Sequence, residues 1–242
     1  MYKYIIEGKK AVIFDLDGTI VDTRPLYVRA FNEVTKKITG EKSQLNSLVT
    51  PGTSTEDNWK NILRSPQGEK IKKIPLKELI NDLHITFVSL IKKSDIEPRM
   101  GFWSLIYELK KEKNFKICLA TNAVKSVATQ VMIKTNIDGV FDISIFGDEV
   151  QRKKPNPEIY IKVIKQLKML PERILLFEDS LAGVSAGAAA GLDMVVVWDE
   201  IISKLEFPGN VIDFISDFNS LPGNLDKNYL DLYKEEVAKG SK

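Results

Sequence analysis

Apolar residues fall in two rhythms along this chain. Short unbroken runs, each bounded by polar or turn-forming residues, recur at residues 11–16, 115–120, 141–146, 173–177 and 193–198. Each predicts a buried β-strand. The first, Ala11-Val-Ile-Phe-Asp-Leu16, runs into Asp17-Gly18-Thr19, a turn signal. Between the later runs, at residues 101–113, 123–135, 157–168 and 180–190, apolar positions return at helical spacing. A weaker sixth strand is expected near 212–215 and a last helix near 227–238. Strands alternating with helices predict an α/β fold, a doubly wound and mostly parallel sheet with helices on both faces.

Between residues 23 and 97 the alternation stops. Helical periodicity covers 26–39, 56–63 and 76–92, no strand pattern is present, and charge is locally dense, as in Glu69-Lys70-Ile71-Lys72-Lys73. An α-helical insertion at 23–97 is therefore expected, carried by a core made of residues 1–22 and 98–242. Pro25 and Pro98 stand where the chain would hinge.

Composition changes this picture mainly by exclusion. Hydrophobic residues at 43% and charged residues at 28% are ordinary globular usage, against disorder or a fibrous repeat. One cysteine, Cys118, can build neither a disulfide framework nor a thiolate metal site. Thirty-five Lys and Arg against 33 Asp and Glu leave a net charge of +2, without the basic footprint of a nucleic-acid binder. No run approaches the ~18 apolar residues of a membrane span, and residues 1–10 lack the apolar stretch of a secretory signal. A cytoplasmic protein in a reducing compartment is expected, with neither nucleic acid nor membrane as partner. Oligomeric state is not legible.

The candidate chemistry lies at the strand ends, because an open parallel sheet binds ligands beyond the carboxyl ends of its strands. After the first run comes Asp15-Leu16-Asp17-Gly18-Thr19, and after the second Thr121-Asn122. The segment after the third contains Lys154-Pro155-Asn156-Pro157, and the fourth ends in Glu178-Asp179-Ser180. Asp179 alone would read equally well as a helix cap. Carboxylates, a hydroxyl and a lysine delivered in order to one rim are poorly explained by caps. Asp15 and Asp17, two apart on an extended backbone, point to one side, and Gly18 lets the chain turn sharply away. One carboxylate can attack a phosphoryl group to form an aspartyl-phosphate. A neighbour with a raised pKa can protonate the leaving oxygen and later deprotonate water. Crowding Asp15, Asp17, Glu178, Asp179 and a phosphate together requires cations: Lys154 supplies one charge, and the oxygen-rich surroundings favour Mg²⁺. The Thr121 hydroxyl can donate to phosphoryl oxygens.

These segments, taken in order, resemble the motifs of the haloacid dehalogenase-like hydrolase superfamily, over about residues 12–197. The resemblance implies a doubly wound core whose inserted helical cap is the 23–97 segment. It implies Asp15 as nucleophile and Mg²⁺ ligand, and Asp17 as general acid/base that also binds metal through its main-chain carbonyl. Thr121, Asn122 and Lys154 would hold the phosphoryl group; Asp179 would bind the metal directly, with Glu178 supporting it either from behind the ligands or through water. Superfamily dehalogenases lack the second aspartate, whereas Asp17 is present here. The subgroup resembled is that of β-phosphoglucomutases and small sugar-phosphate phosphatases, through residues 50–57 and 147–160. Where the mutases carry an arginine and a histidine in the cap, Thr55 and Tyr27 align. Arg24, Tyr27, Thr53, Ser54 and Thr55 are candidates to face the substrate.

The expected function is a Mg²⁺-dependent phosphatase hydrolysing a small phosphate monoester of a sugar, polyol or nucleoside. The alternatives are a phosphosugar mutase on the same core and a non-catalytic phosphate-binding module. The remaining features read as structure. Trp59 and Trp103 are expected to pack, Gly183, Gly187 and Gly191 to allow close helix–sheet approach, and Cys118 to be inert. The lysines at 70–73 and 110–113 are expected on solvated faces, and His84, the lone histidine, has no partner for a metal site.

Overall fold

The computed structural model describes residues 5–42, 45–50 and 52–221. The helix expected at 227–238 lies outside them. Six strands form one sheet: β1 Ala11–Phe14, β2 Lys116–Ala120, β3 Ile143–Ile145, β4 Ile174–Glu178, β5 Asp193–Val197 and β6 Val211–Ile215. Their order is β3-β2-β1-β4-β5-β6, and every pairing is parallel. Starting from β1, the chain builds outward in one direction and then crosses back to build in the other. Strand order therefore reverses between β1 and β4, and ligands of such sheets bind at that point.

Burial on both faces explains why the strands read as unbroken apolar runs. Val12 and Phe14 of β1, with Leu175 and Phe177 of β4, point into one core layer. Helices α4 (Phe102–Lys111) and α5 (Lys125–Lys134) supply Leu105, Ile106, Val127 and Val131 to that layer. Ala11, Ile13, Ile174 and Leu176 point into the opposite layer, against Ile159 and Val163 of α6 (Glu158–Leu167) and Val184 of α7 (Leu181–Ala189). Directly before Asp15, the ring of Phe14 stacks on Phe177 at 4.9 Å and meets Phe102 edge-on at 5.7 Å. Fully buried aromatic rings thus anchor the strand end that carries the first carboxylate.

The segment between β1 and β2 holds α1 (Arg24–Thr39), α2 (Thr55–Arg64), a 3₁₀ turn at Pro66–Ile71 and α3 (Leu76–Lys93), with no strand among its described residues. Ser54 caps α2 by accepting the Asp57 N–H at 3.1 Å. Trp59 is fully buried 4.7 Å from Phe31 and Trp103 lies 5.4 Å from Phe102, both in packing roles. Lys70 and Lys72 are exposed and paired with Glu41 and Glu69. Cys118 is buried in β2, and burial pushes its thiol up to about 12, so it is not a reactive thiolate.

Candidate active site

Lys154 organises the rim of the sheet. Its ammonium donates to Asp15 Oδ1 at 2.6 Å, Glu178 Oε1 at 2.7 Å and the Ala120 carbonyl at 2.8 Å, which uses its three donors. It thereby ties together the ends of β1, β2 and β4. Asp15 is still held in sheet register, its N–H donating to the Phe177 carbonyl at 3.0 Å. Burial alone would disfavour a charged lysine, but Asp15 and Glu178 outweigh it and raise the Lys154 pKa.

Glu178 is saturated. Oε1 accepts Lys154 and the Tyr160 hydroxyl, the latter at 2.9 Å. Oε2 accepts the N–H groups of Asp179 at 2.9 Å and Ser180 at 3.0 Å, and the Ser180 hydroxyl at 3.1 Å. Burial opposes its charge, yet Lys154 and these donors hold its pKa below the usual carboxylate range. Gly183 makes room for it: a Cβ there would lie 1.7 Å from Glu178 Oε1.

Asp17 is held separately, its Oδ1 accepting the Thr23 hydroxyl at 2.6 Å. Burial raises its pKa, only partly offset by Thr23 and by Lys154. The turn between Asp17 and Thr19 is fixed from two sides. The Gly18 carbonyl accepts both Nε and Nη2 of Arg99, at 3.0 and 2.8 Å, and Gly18 sits at φ 94°. A side chain at Gly18 would also collide with Asp179, whose Oδ2 lies 2.0 Å from the Cβ position.

Asp15, Glu178 and Asp179 bring carboxylate oxygens within 4.8 Å of one another. Burial, then the charges of Glu178 and Asp179, raise the Asp15 pKa well above normal despite Lys154. Burial and the Glu178 charge push Asp179 to about 7, partly relieved by Arg24, whose Nη1 stands 3.8 Å away. Thr19 donates to Asp179 Oδ1 at 3.0 Å. Such a set has only oxygen donors and an excess of buried negative charge, and so suits a hard divalent cation. Since both Glu178 oxygens are already occupied, Asp15 and Asp179 are the members with oxygens to offer.

The carboxylates open into a cleft of about 830 Å³, part of it open to solvent. Of the residues expected from sequence, Asp15, Asp17, Thr121, Asn122, Lys154, Glu178, Arg24, Tyr27, Thr53, Ser54 and Thr55 all line it. Asp179 lies outside that lining, behind Thr19 and Arg24. Thr121 Oγ1 accepts the Ala123 N–H at 3.1 Å, which leaves its proton to donate. The Asn122 side chain accepts the Lys154 N–H at 3.0 Å and donates to the carbonyls of Lys154 and Gly52, each at 3.3 Å. It holds the Lys154 loop in place. The Tyr27 hydroxyl meets Thr55 Oγ1 at 2.7 Å.

Thr23, Tyr160, Ser180 and His84 enter the site without having been singled out for it. Tyr160 carried one usable signal: a tyrosine on the buried face of a helix needs a partner for its hydroxyl. Thr23 carried none, since neither type nor spacing marks it, and His84, marked by type as the lone histidine, raised only the question of a metal ligand.

With this geometry in hand, the comparisons with known proteins are specific. Residues 12–197 match the family model described as haloacid dehalogenase-like hydrolase. The phosphorylated carbohydrates phosphatase of Thermotoga maritima is 31% identical over 195 residues, 77% of this chain and 83% of that protein. The β-phosphoglucomutase of Bacillus subtilis is 30% identical over 192 residues, 78% of this chain and 83% of that protein. Among solved structures, CbbY from Rhodobacter sphaeroides in complex with xylulose-(1,5)bisphosphate superposes with a TM-score of 0.77 at 28% identity, covering 89% of this chain and 97% of that one. The parallel sheet, the ordered strand-end motifs and the extent of these matches converge: the chain belongs to the haloacid dehalogenase-like hydrolases, as a hydrolase of phosphoric monoesters.

Proposed function

We propose that the protein is a Mg²⁺-dependent phosphatase of a small sugar, polyol or nucleoside monophosphate, acting in the cytoplasm through an aspartyl-phosphate on Asp15. The observation that carries this reading is the division of labour between two aspartates on one cleft. Asp15 has one oxygen fixed by Lys154 at 2.6 Å, while Asp17 hangs on Thr23, where burial favours its protonated form. In the first half-reaction the free oxygen of Asp15 attacks phosphorus, the ester P–O bond breaks, and Asp17 gives its proton to the leaving alkoxide. In the second, Asp17 takes a proton from water as that water attacks phosphorus. The bond to Asp15 then breaks and inorganic phosphate leaves. The Thr121 hydroxyl holds a phosphoryl oxygen, and Lys154, which gives its three donors to Asp15, Glu178 and the Ala120 carbonyl, would share the one on Asp15 with the bound phosphoryl group. Mg²⁺ held by Asp15, Asp179 and the Asp17 carbonyl would offset the charge of the phosphoryl group; Glu178 fixes the Asp179 backbone and Lys154 rather than binding metal itself.

Residues 23–97 serve in this reading as a cap over a core of residues 1–22 and 98–242. The cleft supports that division, because Tyr27, Val28, His84 and Phe87 come from the insertion and Thr121, Val124 and Lys154 from the core. A phosphosugar mutase would need a cationic clamp for the distal phosphate of its bisphosphate, and it is Thr55 that aligns with the arginine the mutases carry in the cap. The test is release of phosphate from p-nitrophenyl phosphate. Turnover should require Mg²⁺, stop in EDTA and be lost in Asp15→Asn. Full activity after exhaustive removal of divalent ions would overturn the metal assignment.

A further inference from the structure

The cleft is charged at the sheet and uncharged at its far end, and this asymmetry bears on which ester fits. Resting on the phosphatase reading above, we infer that the alcohol released is uncharged and hydroxylated, and that a second phosphate or a carboxylate on it is rejected. Among the described residues lining the cleft, the cationic side chains are Lys154 and Arg24. Lys154 is committed to Asp15, Ala120 and Glu178. Arg24 donates to Asp22 at 2.8 Å and to Asp199, and stands 3.8 Å from Asp179. Turning it toward a distal anion would take its charge away from buried Asp179 and half-buried Asp199, and an unpaired buried charge is costly.

Other sources of positive charge are also spent. His84 lines the cleft, but burial, then the nearby Lys153, lower its pKa, which disfavours the imidazolium. Lys153 faces Asp148, Glu56 and Asp57. The N-terminus of α2 could hold an anion in principle, but Glu56 and Asp57 already fill its first turn and Ser54 accepts the Asp57 N–H. What remains is the Thr53 hydroxyl and the Tyr27–Thr55 hydroxyl pair, beside apolar walls such as Val28 and Phe87, while the Ser54 hydroxyl is taken by Asp57. This matches the mixed C–H and O–H surface of a sugar or polyol. A distal anion would be desolvated there without a partner.

Full-length protein with Mg²⁺ decides the matter on matched pairs: fructose 6-phosphate against fructose 1,6-bisphosphate, and glycerol 3-phosphate against 3-phosphoglycerate. Esters not turned over are scored as competitors of p-nitrophenyl phosphate hydrolysis. The member whose alcohol part is uncharged should lead by at least about tenfold in kcat/KM or in inhibition constant. Equal values, or a lead for the charged member, overturn the inference and leave the phosphatase standing. Failure to hydrolyse any ester, p-nitrophenyl phosphate included, removes the phosphatase reading and this inference with it. Thr55→Arg, which supplies a cation at the far end, should shrink the lead by about tenfold. An unchanged lead in folded Thr55→Arg would count against the far end as the place where charge is read.

Discussion

At the residue scale, neighbours in sequence have unequal duties. Lys154 holds two carboxylates and a carbonyl within 2.8 Å, whereas Lys153 is half-buried toward the insertion and touches none of them. Lys154→Ala should lower kcat/KM by about 10²–10³-fold, the usual cost of losing a preorganised donor to the reacting group. Lys153→Ala should change it little. Comparable losses at both positions would contradict the geometry. Asp179 sets a pH dependence. Its folded pKa of about 7 lies above the ordinary value near 4, so in metal-free protein it favours folding fully only below about pH 4. That contribution is lost as pH rises through about 7. A divalent cation requires the ionised form, so binding expels a proton. Mg²⁺ should therefore bind more tightly, and raise Tm more, at about pH 8 than at about pH 6. Calorimetric titrations at the two pH values check this, and equal affinities would refute it. The principal carboxylates, Thr121 and Lys154 were legible because their types are costly at the end of a buried strand. Thr23 and Tyr160 were not, because ordinary residues acquire these roles only through contacts the fold creates.

At the element scale, the strands were legible because a sheet covered on both faces demands unbroken apolar runs, and boundaries slipped where that rule fails. Glu178, expected beyond the fourth strand, belongs to β4: paired to Lys154 and Tyr160, it is buried as completely as its apolar neighbours. The 3₁₀ turn at Pro66–Ile71 was read only as a charged stretch, since its single buried large side chain, Ile71, gives no period to detect. The approach of α7 to the sheet supplies a paired prediction. At Gly187 an added Cβ would meet Leu176 and Met194 side chains at 2.5 and 2.6 Å, while at Gly183 it would meet the Glu178 carboxylate at 1.7 Å. Gly187→Ala and Gly183→Ala should each destabilise by about 1–3 kcal/mol or more, the usual cost of overpacking. Only Gly183→Ala should also depress kcat/KM in the folded protein, because Glu178 cannot move without disturbing Lys154. Thermal melts and steady-state kinetics on both variants separate the two effects.

At the scale of the whole molecule, one topological fact organises the rest. The sheet reverses its strand order between β1 and β4, and so places Asp15 beside Glu178 and Asp179 although more than half the chain separates them. The crossover through β2 and β3 brings Thr121 and Lys154 to the same rim, and the insertion after β1 closes the far side of the cleft. None of the described helices is long and apolar enough to cross a membrane. The order of the strands was not written in any one segment; only the sequence of motifs, read together, implied that these ends converge. The proposed consequence of this convergence is that Asp15 acts as the nucleophile. Acid quenching during turnover, followed by borohydride reduction, converts an aspartyl-phosphate to homoserine, which peptide mass spectrometry can locate. Homoserine at position 15, formed only with substrate and Mg²⁺ and absent from Asp15→Asn, is the expected result. Continued phosphate release with residue 15 unmodified, or modification at another carboxylate, would rule out Asp15 as the nucleophile.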